Sequence, residues 1–64
     1  MQISQISDPV IREMVEAAVA EDAYVRATDG ETNGFDAQGF AAFMPEHTDE
    51  QISEAWAAYQ ACKQ

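Results

Sequence analysis

The chain has 64 residues, and its twelve acidic side chains against three basic ones give a formal net charge of −9. Such a field repels nucleic acid and acidic lipid, which excludes both as direct partners and favours a cationic partner. Disorder is not implied, because 47% of the residues are apolar and Tyr24, Phe35, Phe40, Phe43, Trp56 and Tyr59 can build a core. The expectation is one small acidic helical domain over residues 1–64, close to the size at which a hydrophobic core barely suffices without staples.

The residues from Met1 to Ser7 are polar, with neither a basic region nor an apolar run of the kind a secretory signal needs. With no candidate membrane span, the reading is a monomeric cytoplasmic protein. Cys62 is the only cysteine, so it forms no internal disulfide. It falls on an apolar helix stripe and reads as a small core hydrophobe.

The first element opens at Ser7-Asp8-Pro9, with Asp8 suited to the N-cap and Pro9 to the first helical position. Val10, Met14, Ala17 and Ala18, with Ile11 beside them, recur at helical spacing and predict one buried face. Asp8 with Arg12 and Asp22 with Arg26 stand four apart in the favourable acid-first order and predict ion pairs. Glu21 interrupts the pattern. Either the helix ends near Ala20 or this carboxylate is displayed by choice.

From Tyr24 to Phe35 two readings stand. In one the helix continues and stops at Asp29-Gly30. In the other, residues 24–28 and 31–33 flank an Asp29-Gly30 turn as a short β-hairpin. The balance favours helix followed by an ordered loop. Asp36 then caps a second helix bearing Phe40, Phe43 and Met44, which Gly39 weakens and Pro45 ends. Thr48-Asp49-Glu50-Gln51 is a capping box for the third helix, whose stripe is Ile52, Ala55, Trp56, Tyr59 and Cys62. The fold class is therefore mostly α, a compact three-helix single domain with helices over about 8–27, 36–44 and 48–63. Its expected core is Ile11, Met14, Ala18, Phe40, Phe43, Ile52, Trp56 and Tyr59.

Catalytic equipment is sparse. His47 is the lone histidine, in a Pro-Glu-His-Thr connection with no nucleophile at a suggestive spacing. Paired carboxylates on so short a chain have little volume in which to form a substrate pocket. No enzyme activity, catalytic residue or cofactor is expected.

Calcium is the one metal to weigh. With Gly34 at the sixth place of a calcium loop, Asp29, Glu31 and Asn33 take the first, third and fifth. The eighth place, normally apolar, is Asp36, and the twelfth, where a bidentate Glu belongs, is Phe40. The run Gly34-Phe35-Asp36, Phe40, Phe43-Met44, then Thr48 to Ile52 and Glu54-Ala55-Trp56 resembles an EF-hand exiting helix followed by the next entering helix. That likeness covers about half the chain. It implies helix–loop–helix packing, and with the decisive ligand missing it implies no calcium binding and no metal site.

The remaining question is what the acid is for. Asp8, Asp36, Asp49 and Glu50 have places at helix N-termini. Glu13, Glu16, Glu21, Asp29, Glu31, Glu46 and Glu54 have no such work. Carboxylates three or four apart on a helix, as Glu13 and Glu16 are, lie about 5–6 Å apart at Cβ, on the scale of phosphate spacing along nucleic acid. A rigid surface bearing them can enter a groove lined with Lys and Arg. In size, charge and architecture the chain resembles the DNA-mimic inhibitors, in particular the small phage-encoded anti-CRISPR proteins. The resemblance implies a non-enzymatic inhibitor that binds a basic nucleic-acid-binding protein in a bacterial host, such as a CRISPR effector complex, and blocks nucleic-acid access. The partner-binding candidates are Glu13, Glu16, Glu21, Asp29, Glu31 and Glu54. The alternative is a generic acidic adaptor with a degenerate EF-hand-like helix–loop–helix, docking through Phe35, Tyr24 or another aromatic.

Overall fold

Pro9 supplies the pre-set φ and the dispensable N–H of a first helical turn, and Asp8 closes that turn by accepting hydrogen bonds from the N–H groups of Val10 (2.9 Å) and Ile11 (3.3 Å). From there the helix α1 runs unbroken over Pro9–Asp29. The computed structural model describes residues 1–30 and 34–62. It adds a short 3-10 turn at Ile3–Gln5, a helix α2 at Ala37–Phe43 and a helix α3 at Asp49–Cys62. The fold is mostly helical, with no strand among the described residues.

Of the two readings for residues 24–35, the helical one holds as far as Asp29. Tyr24 to Asp29 belong to α1, so the first arm of the hairpin alternative does not form; its second arm, 31–33, lies outside the described residues. The helix stops where a glycine permits it: Gly30 takes φ 91°, and its N–H caps the carbonyl of Arg26 at 3.0 Å.

The α1 and α3 helices run in the same direction. Asp8 and Ile11 share a groove with Glu50, Gln51 and Glu54, whereas Asp22 and Arg26 lie beside Tyr59 and Cys62. Two parallel helix dipoles repel at their like ends, and Asp8, Asp49 and Glu50 place negative charge where both positive ends meet. Residues 34–48, with α2 among them, carry the chain back toward the start of α3.

Both shorter helices have explicit starts. Asp36 accepts from the Gly39 N–H at 2.6 Å. A Cβ at Gly39 would stand 2.9 Å from the Asp36 carboxylate oxygen, so the glycine that lowers helix propensity also leaves room for the cap in its present rotamer. The box expected for α3 closes reciprocally, with the Gln51 N–H donating to Thr48 Oγ1 (3.2 Å) and the Thr48 N–H to Gln51 Oε1 (3.1 Å).

The core comprises Ile6, Ile11, Met14, Val15, Ala18, Phe40, Met44, Ala55 and Tyr59. Phe40 sits at its centre, with its ring 5.4 Å from that of Trp56 and 5.5 Å from that of Tyr59. Three sequence expectations need correction. Phe43 is 38% exposed, because α2 is too short to bury two aromatic turns and only Phe40 points inward; Phe43 lies on the rim against Phe35. Ile52 and Trp56 are half-buried and pack against the core without being enclosed by it. The buried face of α1 is shifted from the expected one: Ile11, Met14 and Ala18 are buried as read and Val15 is wholly enclosed beside them, while Val10 and Ala17 are exposed.

Candidate interaction surface

The carboxylates are positioned by regular helix, so their directions follow from the core-facing residues. With Ile11, Met14, Val15 and Ala18 inward, Glu13 and Glu16 stand on the opposite side of α1, and both are exposed. Glu21 stays helical and half-buried at the flank, so the helix does not end near Ala20 but passes through it. Asp29 is exposed in the last turn of α1, about 24 Å along the axis from Glu13. Glu54 is exposed on α3, one turn beyond Glu50, and both line the groove that Asp8 and Ile11 close from α1. Glu31 lies outside the described residues.

The six candidates are therefore not gathered into one patch. Glu13 and Glu16 pair on the outer face of α1, Glu54 joins an acidic groove at the helix N-termini, and Asp29 stands at the far end. Asp8 and Glu50, read from the sequence as helix-terminal charges, contribute to that groove as well. The parallel pairing of α1 and α3, a long-range fact, is what brings them together.

Two of the expected ion-pair residues meet other partners. Arg12 turns to the chain preceding its own helix, and its Nε and Nη2 donate to the Ile6 carbonyl at 3.0 and 2.8 Å. That bond ties the N-terminal segment to α1 and takes the place of the expected pair with Asp8. Asp22 likewise has a different role from the expected pairing with Arg26: it accepts the hydroxyl proton of Tyr59 in a short hydrogen bond.

Tyr59 is 1% exposed, and its hydroxyl oxygen in turn accepts from the Phe35 N–H at 3.2 Å. One phenol thus joins α1, the segment before α2, and α3. Burial and the Asp22 hydrogen bond push its pKa above the ordinary 10.0, since both favour the neutral phenol. This is a structural junction that joins three segments of the fold.

His47, half-buried, donates its backbone N–H to the Met44 carbonyl at 3.3 Å in the turn between α2 and α3. Among the described residues no group of three or more His, Cys, Asp or Glu side chains could hold a metal ion, and no helix is long and apolar enough to cross a membrane. Cys62 is half-buried against the core.

Of the aromatics named as docking candidates, Phe35 is committed inward, with its ring 6.0 Å from both Phe40 and Tyr59. Tyr24 is 63% exposed on the outer side of α1. Comparison with protein-family models, curated proteins and solved structures finds no match to this chain.

Proposed function

We propose that the chain is a non-enzymatic inhibitor that binds a basic nucleic-acid-binding protein, such as a bacterial CRISPR effector complex, and blocks nucleic-acid access by charge mimicry. One observation carries the reading. Glu13, Glu16, Asp29 and Glu54 are exposed on regular helix, in a chain whose twelve acidic side chains far outnumber its three basic ones. The negative potential is therefore projected outward from fixed positions, which is what a cationic groove built for phosphates responds to. With Glu21 and Glu31, these residues act together through charge and not as single hot spots.

The test is capture of a partner from bacterial lysate at low and high salt, followed by competition with that partner's own DNA or RNA. Reversing one carboxylate changes association modestly, whereas reversing three or four abolishes binding with the fold intact. A partner that holds the inhibitor and its nucleic acid simultaneously defeats the mechanism.

The exposure of Tyr24 favours a second reading, an acidic adaptor that docks through that ring. Its signature is binding indifferent to salt and lost on Tyr24→Ala alone.

A further inference from the structure

The outer side of α1 carries a second helix-packing seam that its own fold leaves unused. Val10, Ala17 and Tyr24 recur every seven residues, and Glu13, Ala20 and Ala27 interleave with them at the alternating three- and four-residue steps of a coiled-coil a/d pattern. All six are exposed, Val10 by 37% and Tyr24 by 63%. The core-facing residues of α1, Ile11, Met14, Val15 and Ala18, lie on the opposite side of the helix.

Charge identifies the occupant. In the register that puts Val10, Ala17 and Tyr24 at a, the flanking e and g positions hold Glu21 and Glu16, and neither flank carries Lys or Arg. In a parallel pair the g residue of one helix meets the e residue five places on in its neighbour. A second copy would therefore set Glu16 against Glu21, and an antiparallel copy would again face acid with acid. We propose that this seam docks a helix of another protein that bears Lys or Arg on both flanks of a small apolar stripe, with the Tyr24 ring as anchor. Ala17 and Ala20 let the two backbones approach closely, and Glu13, inside the seam, fixes register by requiring a cationic or polar residue opposite. The inference rests on the reading that the partner is basic, and it names the face and the kind of element met there.

The probe is a synthetic helical peptide of about three heptads, with Leu and Ala at a and d and Lys at e and g, beside the same peptide with Glu at e and g. Titration into the 15N-labelled protein is expected to perturb Val10, Ala17, Ala20 and Tyr24 with the Lys peptide alone. Tyr24→Ala and the double variant Glu16→Lys, Glu21→Lys each weaken binding at least about tenfold, whereas Gln60→Lys, exposed on α3, leaves it within about twofold. Circular dichroism of each variant confirms the helix content. Perturbation centred on Asp8, Glu50 and Glu54, equal binding of both peptides, or a wild-type dimer in sedimentation that Tyr24→Ala dissolves would overturn the proposal. The two readings fail separately. A captured basic partner that yields to nucleic acid but binds the Tyr24 and Glu16/Glu21 variants normally refutes the seam alone. Peptide binding as expected, with no displacement of nucleic acid by the whole protein, refutes mimicry alone.

Discussion

The Tyr59 hydroxyl donates to the Asp22 carboxylate while accepting from the Phe35 N–H, so a single buried phenol ties the two long helices to the segment entering α2. Tyr59→Phe removes both bonds and is expected to lower stability by about 1–3 kcal/mol, the range for leaving buried partners unmatched. Urea denaturation measures it. Combined with Asp22→Ala in a double-mutant cycle, the pair should couple by at least about 0.5 kcal/mol; additive effects would mean that the hydroxyl and carboxylate do not interact in solution.

The same junction makes an alkaline prediction. The folded-state pKa of Tyr59 is raised above 10.0, so folding holds its proton more tightly than the unfolded chain does. Its contribution is complete below pH ~10 and is lost as the pH climbs from there through the raised folded value. Melting temperature should fall over that window, and more steeply in the wild type than in Tyr59→Phe. Parallel slopes would contradict the assignment.

Core truncations should rank by enclosure. Phe40 is wholly buried and meets Phe35, Trp56 and Tyr59, so Phe40→Ala should cost about 3–5 kcal/mol, a large share of the stability of so small a domain. Trp56→Ala, half-buried, falls below it, and Phe43→Ala on the rim is the mildest of the three. A Phe43 variant as damaging as Phe40 would refute the placement of α2.

Gly39→Ala tests the cap of α2. Helix propensity alone would favour the alanine by about 1 kcal/mol. Because the new methyl would stand 2.9 Å from the Asp36 oxygen that caps Gly39, this gain should vanish or reverse. In an Asp36→Ala background, where no cap remains to disturb, the alanine should stabilise. A full gain in the wild-type background would show that the cap contributes little.

Much of the fold was legible because its signals are local. Asp8-Pro9, Thr48 to Gln51 and Asp29-Gly30 mark helix ends through hydrogen bonds spanning a few residues, and each closes as its chemistry requires. The inward face of α1 was less legible. Val10 and Ala17 are as apolar as the residues that are buried, so periodicity admits more than one face, and the docking of α3 decides for Val15. The uses of Arg12 and Asp22 were illegible for a related reason. Each has a plausible partner four residues away, yet the Ile6 carbonyl and the Tyr59 hydroxyl, brought near by folding, are the groups they meet. The candidate site shares this limit: its residue types are evident from composition, but which carboxylates share a face depends on how the helices pack.

Calcium provides a check on the loop reading. At millimolar calcium the melting temperature is expected to stay unchanged, since a ligand bound only by the folded state must raise it. A stabilising shift that Asp29→Asn removes would show that the loop binds calcium without a glutamate in its twelfth place.

The most direct test of the central claim is competition on the captured partner. The expected result is that the protein and the partner's own DNA or RNA exclude one another, with affinity falling steeply between low and high salt and vanishing when Glu13, Glu16, Glu21 and Glu54 are reversed together. A ternary complex in which inhibitor and nucleic acid occupy the partner together, or affinity indifferent to both salt and charge reversal, would contradict it.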